Sequence, residues 1–155
     1  MKVISIDVGK KGSVVLINES KEVLDFKAFD KIGPTKAILE IARNEHELRA
    51  VVEKVHAMPK QGVKSMFEFG KQLGMIIGTL DTLGIETELI PPATWMKHYK
   101  DFYGETAKER VATFIDDKYN LDKFILPRCR VPHSGIIDAI GLGCYYWDKI
   151  LKKLW

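Results

Sequence analysis

The sequence has few cysteines and no long apolar run, and each shortage excludes a class of protein. With only Cys129 and Cys144 among 155 residues, neither a disulfide framework nor a zinc site of paired cysteines is expected. No apolar stretch approaches the roughly 18 residues of a membrane span, so we expect no membrane partner. The apolar run at the N-terminus is short and meets an acid at Asp7, unlike a signal peptide. The cytoplasm is therefore the expected compartment.

The sequence also lacks repeats, low-complexity stretches and linkers rich in proline or serine. A chain of 155 residues can build one domain with a core but is short for two, so we expect a single domain over residues 1–155. Charge of one sign is not in strong excess, because 24 Lys and Arg face 21 Asp and Glu. That balance permits a polyanionic partner without requiring one.

The order of apolar segments predicts an α/β domain. Three β-branched runs separated by turn-like sequences predict an antiparallel meander, and strands and helices then alternate. The predicted strands cover residues 2–8, 13–17, 23–29, 50–55 and 86–90. One predicted helix begins near Pro34, and three others cover residues 63–83, 105–119 and 135–154. We therefore expect a mixed five-stranded sheet, antiparallel in its first three strands and flanked by helices.

Three acids embedded in apolar segments are the most informative residues. Asp7 ends the first predicted strand, Glu53 lies within a β-branched run, and Asp138 lies in the first turn of the last predicted helix. Each has an ordinary structural interpretation: a turn aspartate, an edge glutamate paired with Lys54, and an aspartate that complements the helix dipole. A buried carboxylate is costly, however, unless it is paired or bound to a metal.

Taken together, the three acids predict metal-dependent phosphodiester hydrolysis. The first and fourth strands can lie side by side with the last helix packed across them, which would bring the carboxylates together. Converging carboxylates repel one another at neutral pH, and a hard divalent cation is the natural reason to keep them. Two such cations form a clamp that activates a water nucleophile and stabilises the leaving 3′ oxygen. We therefore expect hard divalent cations, two per site, on Asp7, Glu53 and Asp138.

Three segments resemble the acidic motifs of RuvC-type Holliday junction resolvases. They lie at residues 5–9, 52–55 and 133–139, in the family's order and at comparable intervals. The resemblance is strongest to phage-type members, through residues 53–59 and 65–70, and it covers essentially the whole chain. It implies a ribonuclease-H-like fold, a homodimer, and Mg²⁺- or Mn²⁺-dependent nicking of two opposed strands of a four-way DNA junction. The compartment would be the host cytoplasm if the chain is phage-encoded.

The resemblance also implies roles for individual residues. Asp7, Glu53 and Asp138 match the catalytic acids position by position, with Asp7 expected to bridge the two cations. The family often has a fourth ligand, an acid or histidine, three to five residues before the last Asp. Those positions hold His133, Ser134 and Gly135 here. His133 is therefore a catalytic candidate that could bind metal or carry a proton, and a loop histidine with water in that place is the alternative.

Basic residues follow the predicted strand ends and form a candidate DNA-binding rim. Phosphate contacts require such a rim around the acids, although scattered surface lysines are the ordinary alternative. The loop after Glu53 could also reach into a junction, with Met58 as an apolar wedge and Gln61 as a base contact, or could be a plain connection. The candidates are Lys10, Lys11, Lys54, Lys60, Gln61, Lys64, Lys97, Lys100 and Lys108.

A stripe of glycines on the predicted helix 63–83 points to close approach of another backbone. Gly70, Gly74 and Gly78 recur every four residues, and each costs up to about 1 kcal/mol relative to alanine in a helix. The approaching backbone is either the sheet of the same chain or the partner helix of a two-fold dimer. The apolar side chains expected in such a dimer are Phe67, Phe69 and Met75. Trp95 is expected in the core rather than stacked on a base.

Two other functions are compatible with the sequence. Asp7 followed by Val8 and Gly9 also resembles the first phosphate motif of actin-like and sugar-kinase ATPases. Those chains are longer and carry a second glycine-rich motif that is not found here, so no nucleotide cofactor is expected. The other alternative is a non-catalytic module that binds branched DNA through a degenerate metal site, because the fourth acid is missing.

Overall fold

The computed structural model describes residues 1–55 and 60–153, and five strands form one mixed sheet. The strands are β1 Lys2–Asp7, β2 Ser13–Asn18, β3 Val23–Ala28, β4 Leu48–Glu53 and β5 Glu86–Ile90. Their order across the sheet is β3-β2-β1-β4-β5. β1, β2 and β3 pair antiparallel, whereas β4 runs parallel to both β1 and β5. The predicted mixed sheet with its antiparallel first three strands is confirmed.

Helices cover both faces of this sheet. The α-helices in the described residues are α1 Phe29–Ile32, α2 Pro34–Ala42, α3 Val63–Thr82, α4 Pro92–Met96, α5 Ala107–Tyr119 and α6 Ser134–Lys153. One buried cluster lies between the sheet and α2 and α3, and the other lies between the sheet and α4, α5 and α6. Within the described part of the chain, no helix is long and apolar enough to cross a bilayer.

Side chains of β1 alternate between these two cores. Val3 packs with α5 and α6, whereas Ile6 packs in the core beneath α2 and α3. Because a strand has a period of two, Ser5 and Asp7 share the face of Val3. The Oγ atom of Ser5 donates a hydrogen bond of 2.6 Å to the carbonyl oxygen of Ala139 on α6. This face of β1 therefore holds α6 in place across the strand.

The fourth strand lies two residues earlier than the predicted range of 50–55. It pairs from Leu48 with β1 and ends at Glu53, which lies opposite Ile90 of β5. The ladder ends there because β5 stops before Pro91, which has no N–H to donate. Glu53 therefore ends the strand instead of lying inside it.

The start of α6 also differs from the prediction. The helix begins at Ser134, and the Nδ1 atom of His133, not Ser134, accepts the N–H of Ile136 at 3.2 Å. Asp138 consequently falls in the second turn. Since the effect of the helix dipole is confined to the first turn, that dipole does not explain Asp138.

The glycine stripe on α3 does not pack against its own sheet. Gly70, Gly74 and Gly78 are exposed, and no other described group lies within 4 Å of the place a Cβ would take. Phe67 and Met75 on the same helix are 69% and 41% exposed, while Phe69 is partly buried. The prediction that the stripe packs against the sheet of the same chain is therefore wrong. The partner helix of a dimer stays a prediction.

Candidate active site

Asp7 and Glu53 end neighbouring parallel strands on the same face of the sheet. Ile6 of β1 lies opposite Val52 of β4, so the two acids that follow stand side by side. Glu53 shares the face of Val51, which packs in the core beneath α6. The strand ends therefore bring these two carboxylates, far apart in sequence, to one edge beneath α6.

Asp138 reaches the same edge from α6 and is only 7% exposed. The close approach of α6 depends on Gly135, one turn before Asp138. A Cβ at Gly135 would lie 1.7 Å from the carbonyl oxygen of Lys11 and 3.2 Å from Oδ2 of Asp7. Only glycine lets the first turn of α6 come this near to Asp7 and the loop after β1.

The three carboxylates act on one another electrostatically. Burial raises the pKa of Asp7 well above its usual range, and Asp138 and Glu53 raise it further. Burial also raises the pKa of Glu53, and so does the charge of Asp138. Burial likewise raises the pKa of Asp138. Burial thus acts on all three acids and repulsion acts on Asp7 and Glu53, as expected of carboxylates that lie near one another.

Lys108 supplies the positive charge in this pocket. Its Nζ donates to Oδ2 of Asp138 at 3.1 Å, although its side chain is 69% exposed. Asp138 raises the pKa of Lys108 most, and Asp7 and Glu53 also raise it. Lys108 was predicted to lie in the DNA-binding rim around the acids, and the structure places its ammonium group in direct contact with Asp138.

Trp95 is the other neighbour of the acids that the sequence did not identify. It is fully buried, which confirms its predicted place in the core. Its Nε1 donates a hydrogen bond of 2.9 Å to Oε2 of Glu53. Periodicity can identify a buried tryptophan, but nothing in the sequence indicates which group its N–H meets.

His133 does not join the acids in this structure. Burial lowers its pKa, and the charged groups that act on that pKa are Asp30 and Lys11. Its Nδ1 accepts the N–H of Ile136 at the start of α6. The observed role of His133 is thus to cap the helix that carries Asp138, and its catalytic role stays a prediction.

The structure gives the exposure of the other predicted DNA-binding residues and places two of them in a cleft. All of the lysines among them are exposed, and Gln61 is half-buried. Lys10 and Lys64 line an open cleft of about 770 Å³ between the loop after β1 and α3. Gln72 closes one wall, because its Oε1 accepts the N–H of Gly9 at 2.6 Å. Met58, the predicted wedge, lies outside the described residues.

The donor set suits a hard divalent cation in kind, because carboxylate oxygens are the ligands that Mg²⁺ and Mn²⁺ prefer. Across from Asp7, the Oγ atom of Ser13 is buried and has no hydrogen-bond partner among the described residues. Within residues 1–55 and 60–153, however, no three acidic, His or Cys side chains are close enough to form a ready-made metal site. The ammonium group of Lys108 partly offsets the charge of the acids.

Solved structures of junction resolvases share this architecture. RuvC of Thermus thermophilus in complex with its Holliday junction substrate has a TM-score of 0.69 at 17% identity, over 97% of this chain and 96% of that one. A second T. thermophilus RuvC structure gives 0.63 and 17%, over 98% and 97%. The Fowlpox virus resolvase in complex with Holliday junction DNA gives 0.57 and 15%, over 95% and 99%.

The chain has the ribonuclease-H-like fold of RuvC. The similarity extends over nearly the whole of each protein, which confirms the fold expected from the three acidic motifs. No protein family matches the sequence, and no curated protein does either.

Proposed function

We propose that this chain is a metal-dependent endonuclease that resolves four-way DNA junctions by paired nicks. The observation that carries the proposal is that Asp7 and Glu53 end adjacent parallel strands and Asp138 reaches the same sheet edge from α6, in a RuvC-like fold. Two of the structural neighbours are complexes with Holliday junction DNA, which supports a branched DNA substrate. The activity would be that of a crossover junction endodeoxyribonuclease, serving DNA recombination and repair in the cytoplasm.

In this proposal Asp7, Glu53 and Asp138 would hold two Mg²⁺ or Mn²⁺ ions, which would activate water and neutralise charge on the leaving 3′ oxygen. Burial raises the pKa of all three carboxyl groups, and repulsion raises that of Asp7 and Glu53 further. A bound cation would therefore stabilise their charged forms. Lys108 has a long exposed side chain, which allows its ammonium group to move from Asp138 to a DNA phosphate.

The proposed homodimer uses the exposed face of α3. Two nicks related by two-fold symmetry require two active sites related in the same way. Phe67 and Met75 expose apolar surface on α3, and Gly74 leaves room for a second helix to approach. Lys10, Lys64 and the other lysines that line the cleft would bind the phosphates of the junction arms.

The experiment is a nicking assay on four-way junction, flap and plain duplex DNA in the presence of Mg²⁺ or Mn²⁺. We expect paired nicks in the junction and far slower cleavage of the duplex. Asp7→Asn should abolish nicking yet retain junction binding, because the fold and the basic rim are unchanged. Equal nicking by Asp7→Asn and the parent would reject the assignment.

A non-catalytic branched-DNA-binding module is the second candidate. The observation that favours it is the absence of a ready-made metal site among the described residues. The same assay separates the two functions, since such a module would bind junctions tightly and leave them intact at every metal concentration. The phosphotransferase alternative has no observation in its favour.

A further inference from the structure

We propose that Trp95 is a positioning residue whose indole N–H fixes the carboxylate of Glu53 in the orientation that binds a divalent cation. The inference rests on the proposed function of this site and adds a residue to it. The hydrogen bond from Nε1 to Oε2 of Glu53, 2.9 Å long, is the contact that carries it.

The fold delivers Trp95 directly to the end of β4. The N–H of Lys54 donates to the carbonyl oxygen of Ile90 at 2.8 Å, which holds the ends of β4 and β5 together. Pro92 then opens α4, a position in which proline is favoured because its missing N–H would have no helical partner. Trp95 therefore lies one helical turn beyond Pro91, the residue that follows Ile90, which lies opposite Glu53.

The indole ring is held tightly in place. Trp95 is fully buried, and the ring of Tyr99 meets it edge-on with 6.3 Å between centroids. A Cβ at Gly141 of α6 would lie 3.0 Å from Cζ3 of Trp95, so α6 also packs closely against the ring. The hydroxyl of Tyr99 donates to the carbonyl oxygen of Gly141 at 2.5 Å and locks the two neighbours together. The direction of the N–H bond is therefore fixed by packing.

The packing of Trp95 against Gly141 also links two of the acids. Gly141 lies three residues after Asp138 on α6, so the helix that presents Asp138 is the wall against which Trp95 packs. A shift of Trp95 would move Glu53 relative to Asp138. Trp95 thus sets the spacing of two candidate ligands through one rigid ring.

An indole N–H suits this task chemically. It donates one hydrogen bond, accepts none and does not ionise, so it can orient a carboxylate but cannot replace one or carry a proton. The bond uses one acceptor site on Oε2, and a carboxylate has about four such sites, which leaves capacity for a cation. Partners of this kind around metal ligands are typically worth about 10- to 100-fold in metal affinity or activity.

Trp147 provides a matched control. It is also buried, at 2% exposure, and its Nε1 donates to the carbonyl oxygen of Ile17 at 3.3 Å, away from the acids. Trp95→Phe and Trp147→Phe each remove one buried indole N–H from the same core. A purely structural role predicts similar behaviour for both variants.

The test is Mn²⁺ binding by calorimetry to the DNA-free protein. We expect Trp95→Phe to weaken Mn²⁺ binding about 10-fold or more, and Trp147→Phe to change it less than about twofold. In a Glu53→Gln background, Trp95→Phe should cause no further loss, because the residue acts through Glu53. Equal Mn²⁺ affinities of the two phenylalanine variants would overturn the inference.

A measurement on the parent protein covers the case in which Trp95→Phe does not fold. In ¹⁵N-labelled protein, Mg²⁺ should shift the indole N–H resonance of Trp95 and leave that of Trp147 in place. An unmoved Trp95 resonance during saturation with Mg²⁺ would overturn the inference. Failure of the proposed function is distinguishable, because the parent itself would then neither bind the metal nor nick junctions.

Discussion

The Nζ atom of Lys108 lies 3.1 Å from Oδ2 of Asp138, which places an ammonium group inside a pocket of carboxylates. The pocket is therefore partly neutralised before any metal or DNA arrives. The Lys108 side chain is 69% exposed, so its ion pair with Asp138 can break at little cost in free energy. Ion pairs in contact with water contribute under about 1 kcal/mol to stability. We regard Lys108 as the resident counter-ion of the acids.

Replacement of Lys108 with methionine should therefore destabilise the metal-free protein at neutral pH. The loss of unfolding free energy is expected to stay below about 1 kcal/mol because water screens this pair. Urea denaturation in EDTA measures it, and excess Mg²⁺ should remove the deficit. Lys100→Met, on an exposed lysine, is the control. A deficit that persists unchanged in Mg²⁺ would contradict the role of counter-ion.

Replacement of Asp7 with asparagine should stabilise the metal-free protein at neutral pH. Burial and the neighbouring carboxylates raise the pKa of Asp7 above its ordinary value of 3.8, so folding disfavours the charged form. The parent therefore loses unfolding free energy as the pH rises from below 3.8 through the raised pKa of the folded state. Asparagine does not ionise and escapes this loss.

Urea denaturation in EDTA between about pH 3 and about pH 8 tests this expectation. The advantage of Asp7→Asn should be absent below pH 3.8 and grow above it. Asp101→Asn, at an exposed position, is the control. An advantage of constant size across the whole range would show that repulsion in the pocket is not its cause.

Replacement of Gly135 with alanine should displace α6. The added Cβ would stand 1.7 Å from a backbone oxygen, which cannot move aside like a flexible side chain. Overpacking of this kind costs typically about 1–3 kcal/mol, so we expect a lower melting temperature and slower nicking. Ser134→Ala adds no atoms at the preceding, exposed position and serves as control. Unchanged stability of Gly135→Ala would mean that α6 approaches Asp7 less closely.

Replacement of Gly74 with leucine should weaken self-association without unfolding the monomer. No described group outside the helix lies within 4 Å of the added Cβ, so the chain itself accommodates the side chain. A partner helix packed on the glycine stripe would clash with the leucine side chain. Sedimentation equilibrium at micromolar concentration measures the effect, with Lys36→Leu on α2 as control. Association that is equally strong in both variants would place the dimer contact elsewhere.

The sequence predicted the sheet well because strands and turns depend on local pattern. β-branched runs and turns determine β1 to β3. The isolated acids identified Asp7 and Glu53 as candidates, and their catalytic role stays a prediction. The predicted range of β5, residues 86–90, is confirmed. The helix α4 was missed because the proline pair that ends this strand also opens a helix. The pattern alone does not distinguish these two outcomes.

The contacts of Lys108 and Trp95 could not be predicted in the same way. Both depend on how α4 and α5 pack against α6, and that packing joins residues far apart in the chain. Lys108 looked like any exposed lysine, and Trp95 looked like any core residue. The helix start at Ser134 was missed because His133, a residue seldom used as a cap, accepts the N–H of Ile136.

The pocket draws its acids from the first strand, the fourth strand and the last helix described. A polypeptide still emerging from the ribosome can pair β1 with β2, yet it has no Asp138 until α6 has left the exit tunnel. Under the proposed function, the ability to cut DNA would therefore appear only after α6 has been synthesised. Chains that stop before α6 would lack Asp138 and with it the proposed activity.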